Sequence, residues 1–178
     1  MGQDSAPTLE TARLRLRAHR VEDFDAIFAM ASDPSVMRHI SGAQSREEAW
    51  RRMMCGPSSW ALLGYGYWAL ERRDDGAVIG QVGIADFKRD MKPSIEGQLE
   101  LGYLLAASAQ GQGFATEAAL AVVGWADRIL AARELVAIIG GDNAASIRVV
   151  ERCGFTQRQP ATYRGEPLLL FRRRLKPS

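Results

Sequence analysis

Leucine and arginine alternate over residues 13–18, the period-two pattern of a strand with one buried face. Phe24, Ile27, Phe28 and Ala31 then recur at helical spacing, and Asp33-Pro34 is placed to stop that helix. Ser45-Arg46-Glu47-Glu48 forms a capping box, after which Ala49, Trp50, Met53 and Met54 give the apolar side of a second helix that Gly56-Pro57 should end. Residues 67–72 and 78–87 read as a hairpin turning at Asp75-Gly76. Residues 99–105 form a central strand, and Ala115, Ala119, Val122, Ala126 and Ile129 stripe the helix that follows. Residues 135–139 are wholly apolar, as in a parallel strand buried on both faces. Asn143 caps a helix that closes at Gly154, and two last strands lie around Thr156 and over 168–174. This order predicts an α/β fold in which a parallel strand–helix–strand unit sits beside antiparallel hairpins, giving a mixed sheet.

Composition changes this picture little. A chain of 178 residues can bury one substantial core, so 1–178 is expected to be a single domain. A formal net charge of +2 implies no polyanion partner, and Arg172-Arg173-Arg174 reads as a solvated strand end rather than a nucleic-acid patch. The two cysteines, Cys55 and Cys153, make no disulfide framework and fit a reducing cytoplasm. No apolar run reaches membrane-spanning length, and no signal-peptide core is recognisable. Met1-Gly2 is followed by Ala6 where myristoylation requires Ser or Thr. The two histidines, His19 and His39, stand apart and no Cys/His cluster exists, so no metal is expected; Gly-x-Ser-x-Gly is also missing.

The chemistry concentrates in residues 100–118, a strand, a glycine-bearing loop and the first turn of a helix. Glycines at a helix N-terminus let backbone N–H groups approach an anion, which the helix dipole also favours. Three loop patterns compete. A nucleotide-triphosphate loop needs a lysine after the second glycine, and none follows Gly113. A dinucleotide fingerprint needs glycine or alanine where Thr116 stands and should open its domain, whereas here about a hundred residues come first. The third pattern, Gln/Arg-x-x-Gly-x-Gly/Ala, is matched by Gln110, Gly113 and Ala115.

That match resembles the pyrophosphate loop of the GNAT superfamily of acyl-CoA-dependent N-acetyltransferases. Asn143-Ala144-Ala145-Ser146, with Gly154-Phe155 downstream, is similar to the signature closing the coenzyme site in the same superfamily. The opening at residues 9–17, an acidic helix and Asp33-Pro34 resemble the ribosomal-protein alanine acetyltransferase (RimJ/RimL-like) branch. The resemblance implies the GNAT fold: a mixed, mostly antiparallel central sheet with a parallel βαβ core flanked by helices. It also implies acetyl-CoA as co-substrate, with Gln110, Gly111, Gln112, Gly113, Ala115 and Thr116 around the diphosphate. The central strand should splay from its parallel neighbour, and backbone groups of Tyr103, Leu104 and Leu105 should meet pantetheine in the gap, with Asn143 and Ser146 closing it. The acceptor is an amine, either a protein N-terminus or a small molecule, in a pocket built from residues 37–67 and 87–98. Trp60, Tyr65, Tyr67 and Trp68 are candidate lining aromatics, although aromatics before a strand are as often core.

Acyl transfer from a thioester to an amine needs a proton acceptor, oxyanion stabilisation and a proton for the leaving thiolate. Glu100 shares a strand face with Gly102 and Leu104, opposite Leu101, Tyr103 and Leu105. In several superfamily members a carboxylate of this strand is the general base; the alternative is a glutamate that orders water or pairs with an arginine. Ser146 has two readings, proton donor to the thiolate or simple coenzyme contact, and Asn143 is a helix cap that also faces the coenzyme. An acidic residue found shortly after Gly-Phe in some ribosomal-type members is replaced by Thr156, Gln157 and Arg158. Cys153 reads as core filling, so direct transfer in a ternary complex is expected, without an acyl-enzyme. A catalytically idle acyl-CoA-binding module is the competing reading. An exposed strand near the C-terminus leaves pairing into a homodimer open.

Overall fold

Leu14 and Leu16 are 0 % exposed, each pointing into the core from β2 (Leu14–Arg17), while Arg15 between them and Arg17 after them face the other side of the sheet. The computed structural model describes residues 5–40, 42–130 and 134–174; Met1 and Gly2, with the lipidation question they raise, lie outside the described residues. β1 (Leu9–Glu10) pairs with β2, and β3 (Tyr67–Arg72) and β4 (Val78–Ala85) form the hairpin expected around Gly76. β6 (Leu99–Leu105), β7 (Glu134–Ile139), β8 (Gln157–Tyr163) and β9 (Glu166–Arg174) follow a short β5 (Met91–Lys92). Among the described residues these make one nine-stranded sheet ordered β1-β2-β3-β4-β6-β7-β9-β8-β5. Every neighbouring pair is antiparallel except β6–β7, so the sheet is mixed, mostly antiparallel, with the anticipated parallel pair.

Helices cover both faces. Trp68, Leu70, Val82, Ile84, Leu101 and Leu105 share a core cluster with residues of α4 (Phe114–Ile129), whose buried stripe includes Ala119, Val122 and Ala126. Leu104 of the same central strand belongs to a second cluster, with α1 (Phe24–Ala31), α2 (Pro34–Met37) and the first half of α3 (Arg46–Leu63). α5 (Ala144–Arg152) follows β7 and ends in Gly154 at φ +86, the left-handed geometry expected there.

Several boundaries differ from the sequence reading. Gly56-Pro57 does not end the second helix: α3 runs on to Leu63 and closes at Gly64 with φ 73. An internal proline costs about 3 kcal/mol. Tertiary packing offsets that cost, because Trp60 is 2 % exposed with its ring 4.6 Å from Trp68 and 5.5 Å from Trp125. Asp33-Pro34 does stop α1, but by starting α2: the Asp33 carboxylate accepts the Ser35 N–H at 2.8 Å and Pro34 takes the first turn. β4 stops at Ala85 rather than 87. Two of the three terminal arginines are not solvated. Arg172 donates to Gln98 at 2.8 Å and Glu134 at 2.5 Å, and Arg173 grips Asp127 through both nitrogens at 2.8 Å. Only Arg174 is exposed.

A buried ion cluster ties α1 to the sheet. Arg17 donates to both Asp23 oxygens at 2.8 Å and to Glu71 at 2.6 Å, and all three residues are at most 9 % exposed. Burial pushes the Asp23 carboxyl up, and the Arg17 and Arg20 hydrogen bonds outweigh it, leaving Asp23 below its ordinary value; Arg17 lowers Glu71 likewise. Removing one partner of such a pair strands a buried charge. Asp23→Ala is expected to destabilise the fold by about 3 kcal/mol at neutral pH, measured by denaturant unfolding. A carboxyl depressed in the folded state binds more protons when unfolded, so its contribution is present above about pH 4 and fades as pH falls through the folded value. The difference between wild type and Asp23→Ala should therefore shrink at pH 3; a constant difference would refute the assignment.

Candidate functional site

The parallel ladder between β6 and β7 has only two Cα pairs, Leu99↔Leu135 and Glu100↔Val136. Beyond Glu100 each strand stays with its antiparallel partner, β6 with β4 as far as Leu105↔Gly80 and β7 with β9 as far as Ile139↔Leu169. The two therefore part, and the gap opens into two adjoining cavities of about 500 and 350 Å³ that share Tyr103, Leu104, Asn143 and Ser146.

The smaller cavity has the chemistry to suit an anion. Gly111 at φ +74 and Gly113 at φ +83 take left-handed conformations that side-chain-bearing residues resist, and they turn the chain into α4. No side chain caps α4, so its first-turn amides face a cavity lined by Gln110, Gly111, Gly113, Ala115 and Thr116. Exposed Arg148 and Arg152 of α5 line it as well. Gln112 is the exception among the expected loop residues: it is not in the lining, and its side chain turns back to the Ser108 carbonyl at 2.7 Å. Gln110 reaches back to the Leu105 carbonyl at 3.1 Å, fastening the loop to the end of β6. Glu117, in the first turn, would repel an anion if bare. It is held instead by Arg13 (2.7 Å from Nε to Oε2), by the Arg13 N–H at 2.8 Å and by Thr11 at 2.6 Å. Arg13 also donates to the Gln112 carbonyl at 3.0 Å and lies 4.3 Å over the Phe114 ring. These contacts pull the Glu117 carboxyl below its usual range even though burial, the largest single influence, opposes them.

Glu100 lines the larger cavity with its side chain 8 % exposed, paired to Arg89 through both oxygens at 2.6 and 2.9 Å. Burial pushes its carboxyl above the ordinary range, and the Arg89 guanidinium offsets part of that rise. Arg89 is sandwiched 4.6 Å from the Phe87 ring and 5.1 Å from the Tyr163 ring. Asn143 caps α5 as expected, its side-chain oxygen accepting the Ser146 N–H at 3.1 Å, and this sets Ser146 at the junction of the two cavities. The Tyr103 hydroxyl donates to the Ser146 carbonyl at 3.4 Å, and burial pushes this phenol up to about 12.

Of the four aromatics considered for the acceptor side, Tyr67 lines the cavity. Trp60 and Trp68 are core, at 2 % and 0 % exposure, and Tyr65 packs against the same cluster. The edge-to-face contacts of Trp60 and Trp68 with Trp125 could not be seen without knowing that α3 crosses Gly56-Pro57. Arg89 and Arg13 were not anticipated. Arg89 falls in the 87–98 segment, but nothing in its spacing aims it at Glu100; Arg13 carries only the strand alternation as a signal. Cys153 is 3 % exposed, and burial raises its thiol to about 11, which fits core filling. Among the described residues no group of three or more His, Cys, Asp or Glu side chains gathers as a metal site, and no helix is long and apolar enough to cross a membrane.

Residues 13–156 match the family model of the acetyltransferase (GNAT) domain. The N-acetyltransferase YoaA of Bacillus subtilis, itself uncharacterized, is 30% identical over 151 residues, 84% of this chain and 82% of its own length. The crystal structure of an acetyltransferase from Agrobacterium tumefaciens superposes with a TM-score of 0.80 at 30% identity, covering 95% of both chains. RimL, the ribosomal L7/L12 α-N-protein acetyltransferase solved with coenzyme A, shares the fold at 19% identity and a TM-score of 0.76, over 95% of this chain and 98% of its own.

The two thiols provide a simple check on the site. In the native protein at pH 8 a thiol-reactive chromophore should modify exposed Cys55 and spare buried Cys153, which reacts only on unfolding. Rapid modification of both would put Cys153 within reach of the cavity and reopen a covalent mechanism.

Proposed function

Because the chain belongs to the GNAT acetyltransferase family, we propose that it transfers an acetyl group from acetyl-CoA to a primary amine by direct attack in a ternary complex. The supporting observation is that the uncapped amides of α4 and the Glu100 carboxylate open into one continuous gap between the splayed strands. Residues 1–178 act as one catalytic domain. The diphosphate lies against the amides around Gly111, Gly113, Ala115 and Thr116, with Arg148 and Arg152 near its phosphates. The pantetheine amides meet the backbone of Tyr103, Leu104 and Leu105, with Asn143 and Ser146 beside them. The amine enters from the Glu100 side.

In the transfer, the amine nitrogen's lone pair attacks the thioester carbon, the C–N bond forms and the C–S bond breaks. One amine proton passes to Glu100, directly or through water, and the electron pair of the broken bond leaves on sulfur as thiolate. An alkylamine is mostly protonated near neutral pH, so a buried carboxylate with a raised pKa is a suitable acceptor. Thiolate is a good leaving group, and the weakly acidic Ser146 hydroxyl serves as coenzyme contact more than as proton donor. The acceptor is a protein N-terminus or a small amine. The free cysteines fit a reducing cytoplasm. A second reading, an acyl-CoA-binding module without turnover, takes support from the same ion pair: a Glu100 locked by Arg89 is a structural glutamate.

Release of the CoA thiol from acetyl-CoA across a panel of amines separates the two. On the first reading release requires an amine, and Glu100→Gln lowers kcat about 10- to 100-fold with acetyl-CoA affinity close to wild type, while the charge left unanswered on Arg89 lowers the melting temperature. The base must be ionised to act, so the wild-type rate should fall as pH drops through a value above the usual glutamate figure of about 4.3, and Glu100→Gln should lose that limb. Absence of stimulation by any amine would support the idle module.

A further inference from the structure

The register that aligns β3, β4 and β6 sets Tyr67 opposite Gly83, and Gly83 opposite Gly102. Both glycines lie on the sheet face that carries Glu100. A Cβ on Gly83 would stand 2.6 Å from Tyr67 Cγ, and one on Gly102 would stand 2.1 Å from the Tyr67 hydroxyl oxygen. The two glycines thus form a trough across neighbouring strands, and the Tyr67 ring lies along it. Adjacent strands are about 4.8 Å apart, so a tyrosine lying across one strand delivers its hydroxyl onto the next. Here the hydroxyl reaches the middle of β6, two residues beyond Glu100, in the same cavity. The Phe87 ring, 6.3 Å away, backs the Tyr67 ring, and Arg89 spans from Phe87 to Glu100.

This phenol is half-buried and unused. Among the described residues no hydrogen bond is made by its hydroxyl. Burial first, and then the nearby Glu100 charge, push it well above the ordinary tyrosine value, so it stays an intact O–H at working pH. Its hydroxyl opens onto the cavity, where a bound molecule can meet it.

We propose that Tyr67 is an acceptor-binding residue whose hydroxyl, together with Glu100, grips the amine and fixes the direction of its lone pair. This rests on the acetyltransferase reading above and adds a selection among amines. A neutral primary amine carries two N–H groups and one lone pair. The Glu100 carboxylate has acceptor sites beyond those Arg89 uses, and takes one N–H; the Tyr67 oxygen takes the other. The lone pair is then left pointing at the thioester carbon. A secondary amine has one N–H fewer and loses one of the two holds, so the pair selects primary amines.

The test is kinetic, with whichever of spermidine and an alanine-initiated peptide the wild type acetylates faster. Tyr67→Phe keeps the ring in its trough and should leave melting temperature and acetyl-CoA affinity unchanged. It should lower kcat/KM for the amine by about tenfold, chiefly through KM, with the shape of the pH profile unaltered. Gly102→Ala keeps the hydroxyl but pushes it aside, and should cost as much as Tyr67→Phe. In the Tyr67→Phe background it should cost little more, because the next ring atom is 3.3 Å from the added carbon. Wild-type kcat/KM in Tyr67→Phe, or an equal cost of Gly102→Ala in both backgrounds, would overturn the role of Tyr67 and leave the acetyltransferase reading intact. Where the wild type acetylates neither but acetylates another primary amine of the panel above, that amine is the substrate of the test; a wild type that acetylates no amine overturns both.

Discussion

The structure depends on a parallel strand pair that is kept incomplete. β6 and β7 hold each other over two residues and then follow partners with longer claims on them, six Cα pairs each with β4 and β9. A sheet edge inside a protein is ordinarily a liability, because its N–H and C=O groups must be satisfied by something. Here the edge opens within the sheet and faces the mouth of a helix whose own amides are uncapped. An amide-bearing chain ending in a diphosphate satisfies both sets of groups at once, which is why the acyl-CoA reading accounts for the wedge and the glycine loop together.

Charge placement follows from the same opening. Glu117 lies in the first turn of α4 beside the glycine loop and Glu100 in the larger cavity, and each is answered by an arginine from another segment: Arg13 just before β2, and Arg89 from the stretch between β4 and β5. The pairs are not equivalent. Glu117 has one arginine, bonded through two nitrogens, and two further donors, so its carboxyl is depressed and its charge is spent on holding the loop. Glu100 has one partner and deep burial, so its carboxyl is raised and keeps some appetite for a proton. Similar residues in similar ion pairs are therefore tuned in opposite directions by burial and donor number, one toward structure and the other toward proton transfer.

Much of this was legible in the chain. The period-two and period-3.6 patterns locate the strands and helices, and Gln110, Gly113 and Ala115 with Asn143 and Ser146 mark the two walls of the gap. What was not legible is what long-range contact decides. Trp60 carries α3 through Gly56-Pro57 because two other tryptophans wait for it, and those contacts are set by β3 and α4. Arg172 and Arg173 look like a solvated basic run until Glu134 and Asp127 are brought beside them. Gln112 sits inside the motif yet points away, since side-chain direction in a loop is chosen by local carbonyls rather than by the pattern. Of the arginines that govern these two glutamates, Arg89 comes from a segment with no motif, and Arg13 from an opening whose alternation says nothing of its partner.

Glycine has two different functions here. At Gly111 and Gly113 no neighbouring atom lies closer than 3.5 Å to a would-be side chain, and what matters is the positive φ. At Gly83 and Gly102 φ is not positive; what matters is the missing volume, since a Cβ would fall within 2.6 Å of Tyr67 atoms. Glycine in a strand interior destabilises by about 0.5–1 kcal/mol relative to alanine, and here two occur side by side in the central strands. At Gly83 the backbone itself excludes a side chain, since the Gly66 carbonyl and the Tyr67 Cα would stand 2.4 and 2.5 Å from a Cβ; at Gly102 only the Tyr67 side chain does, and a fold concerned only with stability would place a small β-former there and leave Tyr67 at the rim. Accepting that cost at Gly102 to lay one aromatic ring across the sheet is reasonable where the position of its hydroxyl beside Glu100 matters more than the strength of the strand beneath it.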